Sequence, residues 1–385
     1  MSAAPRRQIL LLRAYAALTY PFACVPLLWF WFTDHGVSQP EYATLISVYY
    51  VTTVVAEIPT GLIADRFGSR QALLLGPLLM VLAFLTMAAG TGFSAFCAGQ
   101  ALFGLSQSML SGPPSALMFE TLRAADRVGE FHRQESIANG IRLLGTGIAF
   151  LAGGVVAAAA GIGASIVLTA GLCAAAAVIA WLLHDVAPAA GTTRSSPATL
   201  VHDALADLRE PTVRWVLAYY VVLFCLLRFP FHTYQPFLQE AGADDPLLIG
   251  TLFFALNLFA APFSPMTPWL VRRFGARAMF WAMPAVIAVS LLLMARQANA
   301  LGIALFFLHQ VPFGMHQSLV QDHTNQRIRG RSRTTVLSVM SFAGRVVFAL
   351  LFPLAMALPL DQAYLTVGLL GLGATALVMS RGGRG

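Results

Sequence analysis

Four charged residues stand where an apolar chain should have none. Glu57, Arg142, Arg228 and Arg345 each lie well inside a long hydrophobic run. A charge at a bilayer centre costs about 2.5–3.5 kcal/mol or more unless it faces water or a partner. Guanidinium forks match carboxylates and phosphates, so the arginines are candidate ligands for an anionic solute. The competing reading is structural, with each arginine held by Glu57 or by helix-end carbonyls. Arginine does not release its proton, whereas a partly desolvated glutamate titrates upward towards neutral pH. Glu57 is therefore either a proton-coupling site, or else half of a permanent ion pair with Arg142 or a cap on neighbouring backbone. His232, His309 and His316 add three candidate proton relays, each equally readable as a satisfied polar spot. Gln107 and Gln317 are candidate neutral hydrogen-bond partners. Tyr20 and Phe231, beside the helix-bending Pro21 and Pro230, would supply an aromatic wall. No Ser/His/Asp set, nucleotide-binding loop or zinc-ligand spacing occurs, so neither an enzyme nor a bound cofactor or metal is expected. The four cysteines all fall in apolar runs and read as small buried hydrophobes.

What positions these residues is a membrane. Hydrophobic residues make up 58% of the 385 and charged residues 11%, far from the roughly 45–50% and about 25% of soluble globular chains. Apolar runs of about 20 residues cross ~30 Å of hydrocarbon as helices. Such runs fall at 8–33, 41–64, 72–90, 94–122, 134–158 and 163–183. Six more follow at 213–240, 247–270, 278–296, 300–325, 333–358 and 361–380. The sequence thus predicts an all-α membrane protein with twelve spans. Arg6-Arg7 before an apolar run mimics a signal peptide, but Arg13 interrupts it and a second span follows, so it is read as the first helix. The polar segment 184–212 reads as a linker with Leu200, Ala204, Leu205 and Leu208 at the spacing of a short amphipathic helix. Every basic residue is Arg. The loops on the side of the termini, with their span ends, hold nineteen, and the opposite loops hold only Arg296. Both termini are therefore expected in the cytoplasm. This asymmetry accounts for the net charge of +7 without nucleic acid.

The halves repeat. Tyr20-Pro21-Phe22 aligns with Phe229-Pro230-Phe231, and Phe103-Gly104 to Leu110 with Phe313-Gly314 to Val320. Asp65-Arg66-Phe67-Gly68-Ser69-Arg70 aligns with Arg272-Arg273-Phe274-Gly275-Ala276-Arg277. Collinear matches at nearly constant offset predict two pseudo-symmetric bundles, 1–183 and 213–385, joined by the 184–212 linker.

The stretch from Gly61 to Arg70, of order G-x-x-x-D-R-x-G-x-R, falls in the loop after the second span. It resembles the signature loop of the major facilitator superfamily, and with the repeat the resemblance covers essentially the whole chain. The resemblance implies two six-helix bundles, a substrate site between them, and alternating access. It also implies a cytoplasmic latch built from Gly61, Asp65, Arg66, Gly68 and Arg70. In that latch Asp65 faces the start of the helix near Arg333, and Glu120 is the partner acid on the fourth span. The glycine-rich Gly145 to Gly154 lacks the proline of the drug–proton antiporter signature. The reading is a secondary transporter in a bacterial inner membrane, a monomer driven by the proton gradient and exporting a small amphiphilic compound. The alternatives are an organic-anion carrier using the deep arginines and, more remotely, a transporter-like sensor.

Overall fold

The computed structural model describes residues 3–185, 210–327 and 332–381, without the side chains of 3–4, 58, 61–67, 321–322, 324–327 and 332–335. All regular structure among the described residues is helical. In the first half α1 spans Ala3–Ala17, α2 Leu28–Asp34, α3 Gln39–Phe67, α4 Ser69–Ala89, α5 Phe93–Leu110, α6 Pro113–Ala124, α7 Phe131–Ala160 and α8 Ile162–Leu182. Later in the chain α9 spans Pro211–Glu240, α10 Pro246–Ala260, α11 Phe263–Phe274, α12 Ala276–Met294, α13 Ala300–Ala304, α14 Phe306–Arg327, α15 Ser332–Met356 and α16 Leu360–Arg381. Each of the twelve expected segments is helical. The expected amphipathic helix at 200–208 lies outside the described residues.

Among the described residues, seven stretches are individually long and apolar enough to cross a bilayer. They include α4, α8, α9, α12 and α16, Val128–Ala160 containing α7, and Val336–Met356 within α15. The pair α10 and α11, bent by 43°, passes as an eighth. The expected spans at 8–33, 94–122 and 300–325 are interrupted, each for a local reason. Pro21 supplies no N–H, and the chain unwinds from Leu18 to Cys24 before a single 3-10 turn, Val25–Leu27, and α2. Ser111-Gly112 ends α5, and Pro113, suited to a helix start, opens α6. In the third case a turn at Leu305 separates α13 from α14. Pro230, by contrast, sits inside the continuous α9.

Residues group by contact into two units. One comprises Met1–Thr192 with Asp244–Leu258, the other Thr193–Ala243 with Phe259–Gly385. The grouping differs from a division at the linker in one place, because the first part of α10 packs with the first half. There Phe253 meets Phe150 edge-on at 5.8 Å, and Asn257 donates to the Leu143 carbonyl at 3.3 Å.

Lipid offers helices no hydrophobic reason to associate, so close backbone approach and polar ties must do it. In the first unit α7 rides directly on the unwound stretch. A Cβ at Gly145 or Gly153 would collide with the carbonyl oxygens of Ala17 and Ala23. Thr146 Oγ1 donates to the Tyr20 carbonyl at 3.1 Å, and the Cys24 N–H donates to Thr169 Oγ1 on α8 at 3.0 Å. These bonds satisfy backbone groups that the broken helix cannot satisfy itself.

The turn from α3 into α4 depends on Gly68, at φ +92°. Its repeat partner Gly275, at φ +84°, makes the same turn from α11 into α12. Both values favour glycine. The first copy is also clasped. Asp185 accepts from the Arg70 N–H at 3.0 Å, the Arg70 guanidinium donates to the Trp181 carbonyl at 2.8 Å, and a Cβ on Gly68 would press on the Asp185 carboxylate at 3.0 Å.

Candidate functional site

In the first unit the sequence-predicted residues gather at the break in the first span. The α7 face that carries Thr146 carries Arg142 one turn earlier, and its guanidinium lies over the Tyr20 ring, 5.5 Å from the centroid. Tyr20 contacts Phe22 at 5.4 Å, and Phe22 meets Phe103 of α5 edge-on at 5.4 Å. Tyr49 of α3 closes the cluster against Phe103 at 5.0 Å. Gln107 follows Phe103 by one turn, with its Nε2 buried and without a hydrogen-bond partner among the described residues. Glu57 is half-buried on α3, two turns beyond Tyr49.

In the second unit Arg228 of α9 lies 5.4 Å from the Phe224 ring centroid and 6.0 Å from that of Phe231. Tyr220, two turns earlier on the same helix, lies within electrostatic range of both Arg228 and Arg345. Gly344 lets α15 approach the Phe224 ring. His316 of α14, also in electrostatic range of Arg228, donates from Nδ1 to the Phe313 carbonyl at 2.7 Å, which leaves Nε2 as its acceptor. His232 packs among Phe231, Phe348 and Phe352 at 5.2–5.7 Å. Gln317 is exposed, unlike its repeat partner Gln107.

Among the described residues, neither Arg142 nor Arg228 lies within salt-bridge distance of a carboxylate. Each guanidinium has a ring for a neighbour instead. The deep arginines that a structural reading would pair with acids are therefore not so paired at these two positions.

His309 has a different character. Gln310 donates to the Tyr234 hydroxyl, which donates to His309 Nδ1; His309 Nε2–H donates to Ser290 Oγ, which donates to the Ile287 carbonyl. Both ring nitrogens are used, and the chain ends on a backbone oxygen that takes no proton onward. This is a neutral polar staple joining α9, α12 and α14.

Of the expected latch, Gly68 and Arg70 make the clasp with Asp185 and Trp181 described above, and Glu120 lies half-buried on α6. Gly61 lies within α3, and the side chains of Asp65, Arg66 and 332–335 lie outside the described residues. Sequence reasoning missed Thr146, Thr169, Tyr220 and Asp185. Thr146 carries the one available signal, a hydroxyl one helical turn from a deep arginine. Asp185 carries none.

A family model described as Major Facilitator Superfamily matches residues 10–353. The chain belongs to the Major Facilitator Superfamily. It is a membrane transporter rather than an enzyme. Two crystal structures share its fold over nearly its full length. The nucleoside transporter NupG is 12% identical, with TM-score 0.79 and 100% of both chains covered. A mutant of the same transporter is 13% identical, with TM-score 0.78 and 98% of each chain covered. At such identity the likeness establishes fold alone. No curated protein matches the sequence.

Proposed function

We propose that this transporter is a proton-coupled exporter of a small amphiphilic organic compound bearing an acidic group. One observation carries the reading: in each unit a deep guanidinium lies on aromatic rings and faces no carboxylate among the described residues. A ring wall beside an unneutralised cation suits a solute with an apolar body and an anionic end. Alternating access by rocking of 1–183 against 213–385 would expose Arg142, Gln107 and Tyr20 from one half and Arg228, Arg345, His316 and Phe231 from the other. Glu57 is the proposed proton carrier. Export follows from the solute's character, since an amphiphile enters through the bilayer unaided and needs active transport only to leave. Lean loops and the lack of an Asn-x-Ser/Thr sequon in the sequence support a bacterial inner membrane, with a monomer as the working form.

The test is charge selectivity. Lysine keeps the charge but loses the bidentate fork. Arg142→Lys and Arg228→Lys should weaken binding of an aromatic carboxylate by roughly 1.5–3 kcal/mol, the range for a charge-assisted hydrogen bond. The matching neutral amide should bind as before. Equal losses for both ligands would mean that the arginines shape the fold, and the acidic group should then be dropped. A neutral ring-bearing solute such as the nucleoside that NupG carries would become the better reading. Solute flux in proteoliposomes separates transport from sensing.

A further inference from the structure

Phe103 is locked among three rings, Phe22 at 5.4 Å, Tyr49 at 5.0 Å and Phe84 at 5.3 Å. The polar residues beside it on α5 are satisfied: Ser106 donates to the Gly76 carbonyl at 2.7 Å and Ser108 to the Leu105 carbonyl at 2.7 Å. Gln107, one turn beyond Phe103 on the same stripe, is different, because its Nε2 is buried and has no hydrogen-bond partner among the described residues. A buried donor left unmade weakens the fold, and a methionine of similar volume would fill the space without that cost. The packing of α5 therefore does not explain an amide there. The ring cluster continues from Phe103 through Phe22 and Tyr20 to the Arg142 guanidinium. A cation stands at one end of this aromatic wall and an orphan N–H near the other, both within the first unit.

We infer that Gln107 is a specificity-determining donor and that the transported solute is a flat aromatic acid with a second hydrogen-bond acceptor remote from its acidic group. The acidic end rests on the reading given above for Arg142. The acceptor end rests on Gln107 alone. A carbonyl or a ring nitrogen at that end satisfies the amide, and a solute with an alkyl group there leaves it unpaired.

The experiment uses purified full-length protein, two probes and no knowledge of the natural solute. Para-acetylbenzoate carries a remote carbonyl, and para-ethylbenzoate is its near-isostere without one. The wild-type protein should bind the acetyl probe about tenfold more tightly, as expected for one extra satisfied hydrogen bond. Gln107→Met should bring the two probes to parity. It should also raise the Tm of the empty protein by about 2 °C, since it removes an unsatisfied buried group. A Tm that falls would show that Gln107 makes a structural bond, and the inference would be wrong. It would be equally wrong if Gln107→Met kept the tenfold preference, or if neither probe bound the wild type at millimolar concentration. Arg142→Lys distinguishes the two layers. If it leaves both benzoates unaffected while Gln107→Met still removes the acetyl preference, the acidic end is lost and the Gln107 assignment stands.

Discussion

A guanidinium laid on a ring gains about 0.5–2 kcal/mol, against about 2.5–3.5 kcal/mol or more for its burial in a bilayer. The rings under Arg142 and Arg228 therefore offset only part of the cost, and an arriving anion would supply the rest. Glu57 is the proposed proton carrier. Glu57→Gln should abolish flux driven by a pH gradient while sparing substrate counterflow, because an amide keeps the size and one acceptor but no exchangeable acid. Unchanged gradient-driven transport would move coupling to another residue. His309 should behave otherwise. His309→Ala strips a partner from both Tyr234 and Ser290, so thermal unfolding should show a loss of about 2–4 kcal/mol. Its ratio of protons to solute, measured in proteoliposomes, should not change. Sequence left this histidine open between relay and staple. The decision depended on Ser290, 19 positions away, which no local pattern links to it.

At the level of elements, the breaks were only partly legible and the ties were not. Pro21 was read as bending the first span and the chain unwinds there, but Pro230, read the same way, sits inside the continuous α9, and the breaks within 94–122 and 300–325 were not foreseen. The partners that steady the unwound stretch and the turn at Gly68 come from far along the chain, 126 residues for Thr146 and 115 for Asp185, and nothing in residue type marks them. Two comparisons test the packing account. Gly145→Ala and Gly153→Ala should each lower stability by several kcal/mol, beyond the roughly 1–3 kcal/mol typical of overpacking, because rigid backbone stands where the methyl must go. Gly171→Ala on α8, with open space around it, should be nearly neutral in the same melting assay. The repeated turns supply the second comparison. Gly275→Ala strains the backbone only, whereas Gly68→Ala also presses on the Asp185 carboxylate. Gly68→Ala should therefore melt at the lower temperature; equal melting would mean that the clasp contributes nothing.

For the molecule as a whole, composition and arginine placement pointed to a membrane topology and the internal repeat to two halves, while the family was reached through the resemblance of Gly61–Arg70 to its signature loop. The latch that the family resemblance implies would be a whole-molecule property, because its charge would be used in only one of two states. Asp65→Asn should nearly abolish transport while folded protein remains in the membrane and binds ligand; wild-type flux in that variant would discard the latch. The unwound stretch at Leu18–Cys24 also bears on how the protein is made. Its backbone is completed by Thr146 and Thr169, which follow their partners by 126 and 145 residues. At about 5–20 residues per second, the ribosome reaches Thr146 roughly 6–25 s after Tyr20. Hydrocarbon does not tolerate unpaired peptide groups for that interval. The nascent first span must therefore wait near the water interface, or enter as an unbroken helix and unwind only when the fifth and sixth spans arrive. Either way, a segment made well before its partners is among the last to reach its final form.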